Sequence, residues 1–494
     1  MSHVEDQLGV AGKAVCNHPA TGVRYNPVAS RIPARIPIGG AIPTTSRSEN
    51  SGYPPPLRAW YAVAVLALAY IFSFIDRQIL SLLVVPIRRD LHISDTQMSL
   101  LMGISFALFY CLFGFPIGRM ADSRSRRNII TAGVFTWSLF TVGCGLAANY
   151  VQLFLMRVGV GIGEAALSPP AYSLMADSFP PRRRPLALSV YGMGMFIGGG
   201  LALVLGGMIV SHVSSAGSVI VPLIGMSVFP WQLTFFVVGL PGLLIAALVR
   251  TVREPERKET QSGKATPVRE VVDYIRQHRA TFAYHHLATS MLSFGYYGSS
   301  AWIPSFLMRT YGWNARQAGM VYGTVVTVFS SLGILCGGFF CQALARRGYR
   351  DAHFRVGLTI ALLVLPVVVM FPLMPSPWLA VAWLVPFAFL STAIFGVAPA
   401  ALQQVAPNEM RAQVSAMYLF VVNIIGLAAG PTIIALFTDR VFHNDNMLRY
   451  SLLIALTGAY SISAVLWWLG LKPFRHSIEH VESARAAADP LYSS

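Results

Sequence analysis

What most constrains this chain is a succession of apolar segments, each long enough to cross a bilayer and separated from the next by a short polar stretch. They run at about 57–86, 98–118, 128–148, 151–178, 186–210 and 231–250. After a charged stretch they resume at about 282–308, 317–343, 355–374, 378–404, 411–438 and 448–471. A helix rising ~1.5 Å per residue crosses ~30 Å of hydrocarbon in about 20 residues. Lipid admits only segments whose backbone hydrogen bonds close internally. The expected fold is therefore an all-α polytopic membrane protein, with twelve transmembrane helices in two six-helix bundles. A mean hydropathy of +0.56 and a charged fraction of 12% exclude a soluble multidomain protein of this length.

The net charge of +16, from 37 Lys+Arg against 21 Asp+Glu, does not point to nucleic acid. The basic residues sit between apolar segments rather than along one exposed face. Arg119, Arg124, Arg126 and Arg127, then Arg182 to Arg184, Arg250, Arg253, Arg257, Arg346, Arg347, Arg350, Lys472 and Arg475 all fall on one side. The positive-inside rule makes that side, both termini and the central linker cytoplasmic, in a multi-pass protein of the cell (inner) membrane.

The domain expectation follows. Residues 1–55, rich in Pro, Ser, Gly and Thr, read as a disordered cytoplasmic tail. An N-terminal bundle over 56–250 and a C-terminal bundle over 281–473 flank a cytoplasmic linker, 251–280, with a C-terminal tail over 474–494. In the linker Val271, Val272 and Ile275 share a helical side, which predicts a short amphipathic helix on the inner membrane surface. No cleavable leader is evident, so the first span serves as the membrane address. The five cysteines read as packing residues rather than a disulfide framework.

Inside the spans, polar residues are few and patterned. On the first, Tyr70, Ser73, Arg77 and Ser81 form one stripe with Asp76 adjacent; on the fourth, Arg157, Gly161, Glu164 and Ser168 do the same. Ionisable residues in a spanning helix face a cavity or a partner and mark function by default. Two structural alternatives remain open: Asp76 and Arg77 snorkelling at the outer interface, and Glu164 held in an ion pair with Arg157 or Arg77.

The second half is different. Its seventh span carries His286, Ser290, Ser293, Tyr297 and Ser300 on one side, its tenth Trp383, Phe387 and Phe395, and its eleventh Asn423. Span interiors between Phe294 and Val441 hold no Asp, Glu, Lys or Arg. The halves nevertheless echo one another: Pro180 to Arg184 matches Pro407 to Arg411, after which Tyr191 falls opposite Tyr418 and Gly199 opposite Gly426. Such repeats are the sequence trace of secondary transporters. No Ser/His/Asp cluster, metal-ligand spacing or Walker-type loop appears, so neither an enzyme nor a resident metal or cofactor is expected.

The run Gly118-Arg-Met-Ala-Asp122-Ser-Arg-Ser-Arg126-Arg127 resembles the Gly-x-Leu-Ala-Asp-Arg-x-Gly-Arg-Lys signature between helices 2 and 3 of the major facilitator superfamily. Ser125 replaces a usual glycine. In the second half Gln342 stands where the family often has Asp. Asp76-Arg77, the run from Arg157 to Ala165, and 407–438 resemble the spinster-like branch and its bacterial relatives; the superfamily resemblance covers about 57–473.

The resemblance implies the major facilitator fold and carriage of lysolipids, sphingoid phosphates or other amphiphilic anions. It implies Asp76 as the proton site, Arg77 as the substrate contact and Glu164 as a further titratable group. Together with the polar stripes it marks Arg77, Arg157, Tyr70, Ser73, Ser293, Tyr297, Trp383, Phe387 and Asn423 as substrate-binding candidates. Gly118, Asp122, Arg126 and Arg127 are the cytoplasmic gate candidates. The expected activity is proton-coupled transport by alternating access, by a monomer, with a small-molecule or lipid-like substrate and protons as partners in the bilayer. A proton symporter for a small aromatic or sugar acid, and a transporter-like receptor without turnover, are the alternatives.

Overall fold

A computed structural model describes residues 53–180, 183–213, 219–221, 226–257, 267–407 and 410–488. The expected N-terminal tail lies outside these up to residue 52. Among the described residues twelve helical rods follow one another. In the first half they are α1 (Pro56–Leu91), α2 with α3 (Asp95–Met102, Ile104–Ser123), α4 (Arg126–Cys144), α5 with α6 (Tyr150–Glu164, Ser168–Ser178), α7 (Arg184–Val213) and α8 (Pro230–Arg250). The linker holds α9 (Val268–Gln277). In the second half the rods are α10 (Arg279–Tyr311), α11 with α12 (Ala315–Val325, Ser331–Arg346), α13 (Ala352–Leu373), α14 with α15 (Pro377–Thr392, Ile394–Val405), α16 with α17 (Arg411–Val422, Gly430–Leu436) and α18 (Leu448–Ala488). Among the described residues ten of these rods are long and apolar enough to span a membrane on composition alone. The third and seventh, α4 and α10, are richer in polar residues and complete the twelve.

Local chemistry sets the ends. Pro56 opens α1 at a position where a missing N–H is no loss, and His92 closes it in the left-handed region at φ 51° with its N–H on the Arg88 carbonyl. Two residues on, Ser94 and Gln97 form a capping box that starts α2. The second half repeats this order at the same spacing: Gly312, φ 69°, closes α10, and Asn314 with Gln317 boxes the start of α11. A Cβ on Gly103, between α2 and α3, would come within 2.9 Å of the Leu427 and Ala428 carbonyl oxygens, so glycine lets the second span press against the eleventh.

The packing distinguishes the two sides of the membrane. The side bearing both termini is called the tail side here, the other the far side. One apolar core runs from the second half, around Trp302, Phe306 and Trp467, into far-side residues of the first, such as Leu82, Leu83, Met98 and Trp231. A second core, around Leu66, Val134 and Leu174, belongs to the tail-side part of the first half. Polar contacts between the halves cluster on the far side. Arg309 of α10 donates to both oxygens of fully buried Asp95 at 2.6 and 2.7 Å, and Arg88 reaches Asp95 at 3.0 Å and Asp445 at 2.6 Å. Asp439 accepts the Thr96 N–H and hydroxyl at the start of α2, both at 2.6 Å. Nearer mid-depth, Gln78 and Ser300 also bond each other across the halves at 2.9 and 3.0 Å. The halves are thus clasped together on the far side.

Three features differ from the sequence expectation. The linker helix α9 does not merely lie on a membrane surface: Val271 is buried in the second half's core and the Tyr274 hydroxyl donates to the Val405 carbonyl at 2.6 Å. Residues 474–488 are no separate tail but continue α18, which Arg350 meets through Glu482 at 3.3 Å. A short hairpin, β1 (Val219–Val221) with β2 (Met226–Val228), joins the fifth and sixth spans. Among the described residues, Cys111, Cys144, Cys336 and Cys341 are all free.

Candidate functional site

Asp76 and Arg77 sit near the middle of α1, twenty residues from its start and fifteen from its end. Both side chains turn into the helix bundle rather than outward along it. Consecutive residues of a helix point roughly 100° apart, so the two side chains meet different neighbours. Asp76, 2% exposed, accepts from Arg157 Nη1 at 3.0 Å and from the Thr141 hydroxyl of α4. Arg77 turns to Glu164, its Nε and Nη2 each 2.6 Å from Oε2, the oxygen that also accepts from Ser73 Oγ at 2.5 Å. Two ion pairs therefore lie side by side, each joining the first span to the fourth.

Helix packing makes this possible. Gly161 lets α5 approach α3, since a Cβ there would lie 2.8 Å from the Phe106 carbonyl oxygen. The Phe106 ring then lies under the Arg77 guanidinium at 4.3 Å, with Phe74 at 4.7 Å and Tyr110 at 5.0 Å. An aromatic box of this kind holds a guanidinium in place while leaving donors free. The pairs differ in access: Arg157 is 1% exposed, whereas the Arg77 side chain keeps 16% of its surface open.

The remaining candidates fall into three groups. Tyr70 stacks on Tyr191 at 4.4 Å, and Tyr297 of α10 lies within electrostatic reach of Arg77 and Tyr110, so both border the charged cluster. Ser293 is fully buried against Gly426, its hydroxyl without a partner, and Asn423 is half-buried at the start of the π-helical segment Asn423–Ala429. Trp383 packs at the edge of the second half's core, and Phe387 lies inside that core between Phe371 and Tyr460. The structure brings the first-half candidates together with Tyr297, and it leaves Phe387 away from them.

At the tail side, Arg126 is 1% exposed and organises a polar knot. Its backbone N–H and Nε donate to Glu254 Oε1 at 2.9 and 3.0 Å, Nη1 binds Ser173 and Asp177, and Nη2 reaches the Pro255 carbonyl at 3.1 Å. Burial works against the Glu254 charge. The Ser125 hydroxyl and the Arg126 N–H and guanidinium nonetheless hold its carboxyl below the usual glutamate range. Gly118 packs loosely beside Pro169, and Arg127 Nε is buried without a partner. The Asp122 side chain lies outside the described residues. Sequence reasoning missed Glu254, Asp177 and Thr141, which stand far from the signature and carry no motif of their own.

The chain matches the family model of the Major Facilitator Superfamily over residues 66–431. It is 30% identical over 450 residues to an MFS-type efflux pump of Mycolicibacterium smegmatis, covering 89% of this chain and 98% of that one. It is 26% identical over 306 residues to a hexuronate transporter of Bacillus subtilis, covering 58% and 65%. Among solved structures, a bacterial homolog of the human lysosomal transporter Spinster, inward-facing and unoccupied, superimposes with a TM-score of 0.73 at 29% identity, over 86% of this chain and 99% of that one.

Proposed function

Since this chain belongs to the Major Facilitator Superfamily, in its spinster-like branch, and is a membrane transporter rather than an enzyme, we propose that it couples protons to the movement of an amphiphilic organic anion. The observation that carries this reading is Arg77: a guanidinium in an aromatic box that keeps a small open edge, matched by one buried carboxylate, opposite a half whose span interiors bring no charge. An anionic head group binds Arg77 when Glu164 or Asp76 gains a proton, and the aromatic and neutral polar surface around Tyr297, Phe395 and Trp383 takes the apolar part. The far-side clasp holds one end of the pathway shut, and the tail side, cytoplasmic by its basic loops, is the end through which substrate is exchanged in that state. The knot around Arg126, with Gly118, Asp122 and Arg127, closes the tail side in the alternate state. The monomer is the working unit.

A small organic acid is the second reading, favoured by the similarity to a hexuronate transporter. A second arginine contacting the bound carboxylate would support that reading, and the second one here, Arg157, is buried on Asp76. The geometry therefore favours a single anionic head with an apolar body. In proteoliposomes with an imposed pH gradient, lysophosphatidic acid should accumulate and D-glucuronate should not. Accumulation of glucuronate alone would replace the first reading by the second, and gradient-independent flux of both would sink proton coupling.

A further inference from the structure

On the tail side, away from the charged cluster, three imidazoles gather where the linker passes into the second half. α18 runs on past the last expected span, and its continuation carries His476 and His480, both exposed and one turn apart on one side of the helix. This is a pair at metal-ligand spacing that the sequence expectation passed over, since it lies beyond the spans. Facing it is His278, at the junction of α9 and α10. Its ring centre is 5.5 Å from that of His480, and His476 is within electrostatic reach. Two imidazoles on one tetrahedral ion, each with a nitrogen ~2.0 Å from the metal, hold their ring centres roughly 5 Å apart.

His278 is held in the manner of a ligand. Its Nδ1 bonds Ser477 Oγ at 3.0 Å, Ser477 in turn bonds Thr281 Oγ1 at 2.8 Å, and Nε2 is buried and meets no partner in the protein. A hydrogen bond at one ring nitrogen fixes the ring and leaves the lone pair of the other for a metal. A buried nitrogen with nothing to bond calls for an occupant. We propose that His278, His476 and His480 bind a divalent transition-metal ion of the zinc class, which staples the end of the linker to α18. Imidazole donors suit such ions, whereas Mg²⁺ and Ca²⁺ take oxygen ligands. His278 and His480 stand within range of one ion, and the exposed His476 supplies a third nitrogen by turning about its own side-chain bonds. The far-side trio Asp95, Asp439 and Asp445 is no rival, because Arg88 and Arg309 already supply its counter-charge.

Calorimetric titration of Zn²⁺ into the full-length protein, in lipid and without a polyhistidine tag, tests the site with no substrate present. One ion should bind per chain. His278→Ala and His480→Ala should each weaken it by at least about tenfold, the lower bound even for losing a group that only orients a ligand, and His476→Ala should weaken it less. Asp445→Asn should leave it unchanged. Should His278→Ala fail to fold, the double variant His476→Ala with His480→Ala, at two exposed positions, decides alone and should abolish binding. No binding by the unaltered protein, binding kept in the double variant, or binding lost in Asp445→Asn instead overturns the assignment. None of these outcomes bears on proton coupling or on the transported anion, which stand or fall on accumulation in proteoliposomes.

Discussion

The two halves share a plan and differ in chemistry. Both run six helices, and both turn from their first to their second helix through a left-handed residue followed by a capping box, His92 with Ser94 and Gln97, then Gly312 with Asn314 and Gln317. Yet the first half concentrates two buried ion pairs at mid-depth, while the second offers hydroxyls, aromatic rings and, among the described residues, three π-helical segments, Val326–Ser330, Asn423–Ala429 and Phe437–Phe442. A repeated backbone thus preserves how helices begin and end without preserving what their interiors carry. The difference assigns charge recognition to one half and leaves the other to adapt its shape, since π-helical turns occur where a helix departs from its regular ladder.

The comparison breaks most decisively at Arg77. Replacing it with Gln should weaken anion binding by about 2–5 kcal/mol, the penalty for truncating one partner of a hydrogen-bonded charge pair, or roughly thirtyfold to a few thousandfold in apparent affinity. Tyr297→Phe and Asn423→Ala should each weaken it by about tenfold or less, as single neutral hydrogen bonds do. Binding titrations on purified protein check this, and equal losses in both halves would end the division of labour.

A smaller effect is expected where the halves supply charge together. Arg309→Gln removes both bonds to Asp95 and should destabilise the far-side clasp by about 1.5–3 kcal/mol, the range for hydrogen bonds to charged groups. Distance distributions between spin labels placed on the far-side ends of α2 and α10 should then gain a long component. Their remaining unchanged would show that the apolar core alone holds that side shut.

The smallest effect belongs to the tail-side knot. Glu254 has a depressed carboxyl, so its contribution to stability is fully present above the ordinary glutamate value of 4.5 and is lost as pH falls below it through the folded value. Because the group is partly exposed, solvent screening keeps the contribution under about 1 kcal/mol. Thermal melts should show an acid-side decline that Glu254→Gln reduces, with no change near neutral pH beyond the loss of that same small term.

Much of this was legible in the sequence because it is local. A run of apolar residues long enough for the bilayer defines a span whatever surrounds it, and the spacing of Tyr70, Ser73 and Arg77, or of Arg157 and Glu164, places side chains on one face of one helix. The reading failed where a role depends on a distant partner. Thr141, Asp177 and Glu254 acquire theirs only by meeting Asp76 or Arg126, and the helix over 474–488 belongs to α18 through contacts that no span length announces.

Helix geometry marks the boundary between the two kinds of knowledge. By itself the sequence determined twelve spans, a charged first half, an uncharged second and the polar stripes on the first and fourth helices. It could not determine who pairs with whom, since Asp76 and Arg77 adjoin in the chain yet point roughly 100° apart. How α1 is rotated against α5, α4 and α3 decides what each one finds. That rotation is set by packing, including the glycine contact of Gly161 on Phe106. Only the tertiary structure therefore decided that Asp76 closes on Arg157 and Thr141, and that Arg77 and Glu164 form the pair with an open edge.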